Sequence, residues 1–133
     1  MAFVLDASIC AVWALSDESH PLADATMVRL KTEYALVPAL WWFEIRNVLT
    51  TSERRKRITA AGSHEFLEFV AGFPIREESE RDEAAIFGFA RKYQLSFYDA
   101  AYLELAHRYG IPLATLDSAL RKAAEAAKVP LLA

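Results

Sequence analysis

Ala2-Phe3-Val4-Leu5-Asp6 opens the chain as a short apolar run of strand-forming residues that stops abruptly at an acid. An apolar run without polar alternation is typical of a strand that is buried on both faces, as in a parallel sheet. Asp6 then follows the carboxyl end of that strand, which is the edge where open α/β sheets collect their chemistry. This stretch therefore predicts a parallel α/β fold and places an acid at its functional edge.

The rest of the chain continues the alternation of strands and helices. Further strands are predicted over residues 34–37, 73–75, 111–115 and 129–132. Pro74 confines the second of these to a sheet edge, since proline cannot donate to a central ladder. Helices are predicted over residues 9–15, 39–56, 79–93, 96–109 and 118–128, and two more begin at Pro21 and after Thr59. We therefore expect a single domain over residues 1–133, a three-layer α/β/α sandwich with a mostly parallel sheet of roughly five strands.

Composition limits the functions that the chain can have. The 133 residues are 54% apolar and 25% charged, which is typical of a globular domain. The longest apolar stretch, residues 34–43, contains Pro38 and falls short of the roughly 20 residues that a membrane span needs. A single cysteine, Cys10, suits a reducing compartment, so we expect a cytoplasmic protein without a membrane segment. With 15 basic and 18 acidic residues, the net charge of −3 argues against general electrostatic binding of nucleic acid.

Four acidic residues occupy positions that an α/β enzyme uses for chemistry. Asp6 and Asp117 each follow a predicted strand, and Asp99 lies in the first turn of a predicted helix. Glu44 lies in the longest predicted helix, among apolar neighbours that make an unpaired charge costly to bury. Each acid also has a purely local explanation, as a helix cap, as part of a capping box that starts at Ser96, or as a surface residue. The set of four favours one shared site at the rim of the sheet.

Converging carboxylates repel one another unless a cation lies between them. Oxygen ligands alone select a hard ion such as Mg²⁺ or Mn²⁺, and His20, His64 and His107 form no zinc-binding pattern. The four glycines are scattered singly, so no glycine-rich phosphate loop is present, and no Gly-x-Ser-x-Gly elbow occurs. Metal-assisted hydrolysis is the chemistry that remains.

Four stretches of the chain resemble the PIN-domain family and, within it, the VapC toxins of prokaryotic toxin–antitoxin pairs. They are Phe3-Val-Leu-Asp6-Ala-Ser8, Pro38-Ala-Leu-Trp-Trp-Phe-Glu44-Ile-Arg-Asn47-Val-Leu, Ser96-Phe-Tyr-Asp99-Ala-Ala-Tyr-Leu-Glu-Leu-Ala and Pro112-Leu-Ala-Thr115-Leu-Asp117. These stretches occur in the family's order and at its spacing over essentially the whole chain. The α/β fold inferred from the alternation of elements agrees with the resemblance independently.

The resemblance implies a Mg²⁺- or Mn²⁺-dependent ribonuclease that cuts structured RNA, typically tRNA or ribosomal RNA. Matched position by position, Asp6 and Asp99 resemble the principal metal-binding acids of the catalytic site. Glu44 and Asp117 resemble the remaining members of the acidic quartet. Ala119 stands where some branches of the family carry a further acid, so the sequence departs from the family at a position relevant to a second metal ion.

The same resemblance implies supporting residues and partners. Ser8 and Thr115 match hydroxyl positions that support the site through hydrogen bonds. The family also implies a VapB-like antitoxin and a homodimer. Trp13, Trp41 and Trp42 lie near the proposed rim or its first helices, so we expect an apolar groove there unless these side chains belong to the core. Such a groove suits an amphipathic antitoxin segment that ends in an arginine placed among the carboxylates.

The strongest basic patch is the cluster Arg54-Arg55-Lys56-Arg57. Basic residues at the carboxyl end of a helix offset the helix dipole, but four consecutive cations exceed what that role needs. The cluster therefore has two interpretations, a solvated helix end or a set of contacts to RNA phosphates.

Two other classes of protein share parts of this pattern. A HAD-like or phosphoacceptor α/β domain also carries an aspartate after its first strand, but that chemistry needs a second aspartate where Ser8 stands. It also needs a lysine after a late strand, and the strand at 111–115 offers none. The other alternative is a non-catalytic binding module with the PIN fold, against which the intact quartet argues.

Overall fold

The computed structural model describes residues 1–133 as four strands and seven helices in alternation. The strands are β1 (Ala2–Leu5), β2 (Tyr34–Pro38), β3 (Ile75–Glu78) and β4 (Leu113–Ala114). The helices are α1 (Ala7–Ala14), α2 (Pro21–Arg29), α3 (Leu40–Arg54), α4 (Ala60–Ala71), α5 (Glu83–Tyr93), α6 (Phe97–Tyr109) and α7 (Ser118–Ala126). None of these helices combines the length and the apolar character that crossing a membrane requires.

The strands form one parallel sheet in the order β3-β2-β1-β4. In the central strand β1, Val4 is aligned with Leu36 of β2 on one side and with Leu113 of β4 on the other. The predicted fifth strand at residues 129–132 is wrong. This segment makes only a single parallel bridge, from Leu131 to Leu113, because Pro130 has no N–H with which to extend a ladder.

The helices cover the two faces of the sheet. The chain crosses the sheet from β1 through β2 to β3 and then returns past β1 to β4. Since crossovers between parallel strands are right-handed, this reversal moves the later helices to the opposite face. On one face α1 packs against α2 and α3, and on the other α6 packs against α5 and α7. The predicted three-layer α/β/α architecture is confirmed.

Helix α6 is the most deeply buried helix of the fold. Every residue from Ala100 to Ala106 is buried, and the helix packs on β1, β2 and β4. The Ser96 side chain caps its start, and Gly110 ends it with a left-handed backbone at φ 64°. The helix is thus held at both ends, and its first turn lies at the carboxyl edge of the sheet.

Several predicted boundaries shift by a few residues. Helix α5 begins at Glu83 rather than at residue 79, because the Asp82 carboxylate accepts a hydrogen bond from the Ala85 N–H (3.1 Å) and caps the helix there. The edge strand predicted at residues 73–75 is β3, which runs from Ile75 to Glu78 and lies at the sheet edge as expected. The strand predicted at residues 111–115 is reduced to the two residues of β4.

Candidate active site

The four predicted acids lie at or near the starts of four helices. In a parallel α/β fold the connecting helices run antiparallel to the strands, so the amino ends of the helices lie at the carboxyl edge of the sheet. Asp6 and Asp117 occupy the N-cap positions of α1 and α7, and Asp99 lies in the first turn of α6. Glu44 lies in the second turn of α3. One open cleft of about 270 Å³ is lined by Asp6, Ala7, Ser8, Ala11, Glu44, Asn47, Val48, Asp99 and Asp117.

Asp6 is the most buried of these acids, with 5% of its surface exposed. It stands at a helix start, yet its side chain caps no helix N–H. Instead the hydroxyls of Ser8 and Thr115 both donate to its Oδ2, each at 2.7 Å. These hydroxyls in turn accept from the N–H groups of Leu116 (2.9 Å) and Asp117 (3.0 Å). The network joins the end of β1 to the end of β4 and fixes the orientation of the Asp6 carboxylate.

Asp117 and Asp99 differ in whether their carboxylates make hydrogen bonds to the protein. The Oδ2 of Asp117 accepts from the Leu120 N–H at 2.9 Å, so the local explanation as a cap is correct for one of its oxygens. Ser96 Oγ accepts from the Asp99 N–H at 3.0 Å, which is the first half of a capping box. The Asp99 carboxylate makes no hydrogen bond to the protein, and capping therefore does not explain it.

Glu44 is held from across the sheet. The hydroxyl of Tyr102, a fully buried residue of α6, donates to Glu44 Oε1 at 2.6 Å. The bond joins α3 on one face of the sheet to α6 on the other, and it supplies the partner that a half-buried glutamate needs.

The cleft is electrostatically unfavourable for negative charge. Burial raises the pKa of Asp6 although its two hydroxyl donors act in the opposite direction. Burial, followed by the charges of Asp117 and Asp6, raises the pKa of Asp99 to about 6. Burial, with smaller contributions from Asp6 and Asp99, raises the pKa of Glu44 against the effect of the Tyr102 bond. No basic side chain lines the cleft to offset this repulsion.

The donor chemistry of the cleft fits a hard divalent cation. Its charged ligands are carboxylate oxygens, supplemented by the Asn47 amide, and neither cysteine nor histidine lines it. No three His, Cys, Asp or Glu side chains are grouped closely enough to hold a metal ion by themselves. Mg²⁺ is characteristically held by one or two carboxylates together with water and substrate phosphates, so an open acidic cleft is the expected kind of site.

The basic cluster at residues 54–57 divides into two parts. Arg57 is ion-paired with Asp17 (3.1 Å) and Glu18 (3.4 Å), which follow α1. The side chains of Arg54, Arg55 and Lys56 are exposed and have no acidic partner. Three cations rather than four are therefore available for an external ligand.

The three tryptophans do not form one continuous groove. Trp13 donates its indole N–H to the Ala23 carbonyl at 2.9 Å, and so joins α1 to α2. Trp41 is 8% exposed and belongs to the core. Trp42 is 47% exposed, and the Arg46 guanidinium lies over its ring at 3.8 Å from the centroid. The core explanation thus holds for Trp41, and only Trp42 offers a broad external surface.

Sequence reasoning missed two residues that shape the site. Tyr102 is one, because its partner is 58 positions away and nothing local distinguishes it from other apolar residues of α6. Arg121 is the other. Its guanidinium donates to the Thr115 carbonyl at 2.9 Å and so steadies the segment that carries the Thr115 hydroxyl. The position of Tyr102 one turn after Asp99 was the only available signal.

Comparison with known proteins assigns this arrangement to a family. Residues 3–126 match the family model described as the PIN domain, so the chain belongs to the PIN domain family. PIN domains are generally nucleases and generally use divalent metal ions. This membership favours a nuclease over the phosphoacceptor alternative.

Two solved structures share the fold. PAE2754 from Pyrobaculum aerophilum has a TM-score of 0.73 at 22% identity, over 92% of this chain and 84% of that one. FitAcB from Neisseria gonorrhoeae has a TM-score of 0.65 at 17% identity, over 100% of this chain and 97% of that one. No curated protein matches the chain in sequence. At these identities the structural likeness supports the fold.

Proposed function

We propose that the chain is a single PIN nuclease domain over residues 1–133 that hydrolyses RNA internally with Mg²⁺ or Mn²⁺, as the toxin of a type II toxin–antitoxin system. The observation that carries the proposal is the convergence of Asp6, Glu44, Asp99 and Asp117 on one open cleft without a basic counter-charge. In a member of a family of nucleases, such a cleft is suited to a cation and a phosphodiester. The resemblance to VapC toxins supports the toxin part.

The protein's own residues divide the work of the site. Asp6, fixed by two hydroxyls, provides the most rigid carboxylate. Asp99, whose carboxylate makes no hydrogen bond to the protein, is the most available ligand, and Asp117 keeps one oxygen outside its capping bond. A bound divalent ion supplies charge neutralisation at the phosphate and acidifies water. The exposed Asn47 amide is placed to donate to a phosphate oxygen at the cleft wall.

The substrate must approach an acidic site on an acidic protein. Of the exposed cations, Arg54 is the last residue of α3, ten residues or about 15 Å along the helix from Glu44, and Arg55 and Lys56 follow directly after the helix ends. A strand of RNA lying along α3 would reach these cations within a few nucleotides of the cleft. Structured RNA such as tRNA or ribosomal RNA is the substrate class that the resemblance to VapC toxins suggests.

The same proposal implies an antitoxin that binds the protein and inhibits its nuclease activity. The cleft contains four acids and no cation, so an arginine from a VapB-like antitoxin would neutralise it. The exposed Trp42 lies on the other side of α3 from Glu44, beside Leu67 and Phe73, so it offers an apolar contact for a different part of the antitoxin. We also propose a homodimer, on the family resemblance alone. The single cysteine is buried as a small apolar residue, which agrees with a cytoplasmic location.

The experiment is an RNA-cleavage assay with Mg²⁺, with Mn²⁺ and with chelator, alongside a phosphatase assay. Asp99→Asn should abolish cleavage without unfolding the protein, because the Asp99 carboxylate has no hydrogen-bond partner in the fold. Asp24→Asn is the matched control, since Asp24 is an exposed acid in the first turn of α2. Cleavage that survives chelation, or that survives in Asp99→Asn, contradicts the proposal. Phosphatase activity without RNA cleavage supports the phosphoacceptor alternative.

A further inference from the structure

Helix α6 presents two polar groups to the cleft region, one turn apart. Residues three positions apart on a helix lie on the same side, so Asp99 and Tyr102 project from neighbouring turns of α6. Asp99 lines the cleft, and the Tyr102 hydroxyl reaches Glu44 of α3. One rigid, buried helix therefore provides a carboxylate and also holds a second carboxylate that belongs to another layer of the fold.

The hydrogen bond between Tyr102 and Glu44 has a fixed direction. Tyr102 is 0% exposed, and its hydroxyl makes one hydrogen bond, at 2.6 Å to Glu44 Oε1. An ionised carboxylate can only accept a hydrogen bond, so the Tyr102 hydroxyl is the donor. A donor to a carboxylate forms one of the stronger hydrogen bonds in proteins.

The two carboxylate oxygens of Glu44 lie in different environments. Oε1 is bound to Tyr102, whereas Oε2 has no hydrogen-bond partner in the protein. A glutamate side chain has several rotatable bonds, and in an open cleft it would sample many orientations. Anchoring one oxygen removes part of that freedom, because the carboxylate must stay within hydrogen-bond reach of the Tyr102 hydroxyl.

We propose that Tyr102 is a positioning residue, whose hydroxyl holds the Glu44 carboxylate so that Oε2 is presented to a divalent cation or its water in the cleft. This inference rests on the proposed function for the presence of the cation. Tyr102 itself does not touch the substrate. Its contribution is to preorganise a ligand that the open cleft would otherwise leave disordered, as outer-shell hydrogen bonds do at other metal sites.

The test is the Mn²⁺ affinity of the Tyr102→Phe variant, measured by electron paramagnetic resonance titration in the absence of RNA. This substitution removes only the hydroxyl and keeps the buried ring. We expect a loss of Mn²⁺ affinity of about 10-fold or more, which is typical when an outer-shell partner is removed. Thermal melting in chelator checks that the variant is folded.

Tyr109→Phe is the matched control. Tyr109 lies on the same helix, and its hydroxyl also donates to a glutamate, Glu78, outside the cleft. The substitution removes a similar hydroxyl–carboxylate bond and should leave the Mn²⁺ affinity at the wild-type value. A merely structural role for Tyr102 would change the melting temperature of Tyr102→Phe and leave its Mn²⁺ affinity equal to that of Tyr109→Phe.

A second variant covers the case in which Tyr102→Phe does not fold. Glu44→Asp keeps the charge and the tyrosine but shortens the side chain by one methylene, which withdraws the carboxylate from the 2.6 Å contact. It should lose Mn²⁺ affinity whether or not Tyr102→Phe folds, and where Tyr102→Phe does fold, combining the two substitutions should cause no further loss. Wild-type affinity in either folded single variant overturns the inference.

The outcome for the wild type separates this inference from the proposed function. If the wild type binds Mn²⁺ and cleaves RNA while Tyr102→Phe binds Mn²⁺ equally well, only the positioning role is wrong. If the wild type neither binds Mn²⁺ nor cleaves RNA, the proposed function is wrong and the positioning role falls with it.

Discussion

Thr115 Oγ1 lies 2.7 Å from Asp6 Oδ2, and this buried hydrogen bond joins residues that are 109 positions apart in the chain. It ties β4 to β1 at the point where the strand order reverses. Open α/β sheets form their crevices at this point, because the connecting loops diverge to opposite faces there. The hydroxyl therefore stabilises the sheet and orients the most buried acid of the cleft through the same bond.

Thr115→Val should destabilise the protein by about 1.5–3 kcal/mol, the range for losing a hydrogen bond to a charged group. The substitution preserves the shape of a side chain that is 0% exposed. Thr26→Val is the control, since Thr26 is equally buried but donates to the neutral Leu22 carbonyl at 2.7 Å. That change should cost only about 0.5–1.5 kcal/mol. Urea denaturation of both variants measures the difference, and equal losses would show that the Asp6 charge adds nothing to the bond.

The Asp99 carboxyl should make the metal-free protein more stable at acid pH. Burial, followed by the charges of Asp117 and Asp6, raises its pKa in the folded state to about 6 from the ordinary value of 3.8. A raised carboxyl pKa favours folding below the unfolded value, and this contribution is lost as the pH rises through the folded value. The melting temperature in chelator should therefore fall as the pH rises from about 4 to about 7.

Asp99→Asn removes this titration and is the direct check on its source. The variant should melt above the wild type at pH ~7.5 in chelator, and the two should converge near pH ~4. Added Mn²⁺ should raise the melting temperature of the wild type more than that of the variant, because the ion binds the folded state. Parallel pH profiles for the two proteins would contradict the raised pKa.

The exposed cations at the end of α3 should contribute to RNA binding through phosphate contacts. Replacing Arg54, Arg55 and Lys56 together by Gln should lower the slope of log affinity against log salt by about 2 to 3 units if each contacts one phosphate. Arg57→Gln is the control, because Arg57 is already paired with Asp17 and Glu18. Its slope should match the wild type. An unchanged salt-dependence slope in the triple variant would exclude the phosphate contacts and support the other interpretation, in which these cations only stabilise the end of the helix.

Two glycine substitutions should change stability in opposite directions. Gly110 has φ 64°, so Gly110→Ala places a side chain in the left-handed region and should cost about 1 kcal/mol. Gly88 lies inside α5 with open space around the position of an added Cβ, so Gly88→Ala should stabilise the protein by about 0.5–1 kcal/mol. Thermal melting compares them. Both variants should cleave RNA at the wild-type rate, since neither residue lines the cleft.

Local patterns were sufficient to predict most of the fold. The apolar run before Asp6 and the cap at Ser96 mark the starts of elements whose geometry depends on nearby residues, and both occur where expected. The predicted strand at residues 129–132 failed because Pro130 removes a donor and β4 offers a partner of only two residues. The hydropathy of a segment does not reveal whether its neighbour is long enough to pair with it.

The candidate site likewise contains features that local sequence patterns predict and others that they do not. The acids could be found because strand ends and helix starts converge at one edge of any parallel sheet. Two contacts could not be found from the sequence: the hydrogen bond of Tyr102 to Glu44 and the ion pair of Arg57 with Asp17. Each of them joins segments that are 40 or more positions apart. Such contacts depend on the relative placement of helices, which side-chain packing decides and sequence periodicity does not record.

The reversal of the chain after β3 gives each half of the sequence two of the four acids. Residues up to Glu78 carry Asp6 and Glu44, and residues from Glu83 onward carry Asp99 and Asp117. A cut in the exposed segment between β3 and α5 would therefore yield two fragments, neither of which contains a whole site. The four-acid cleft would form again only when the two fragments reassemble the sheet, so the proposed RNA cleavage by a mixture of the fragments would report that reassembly.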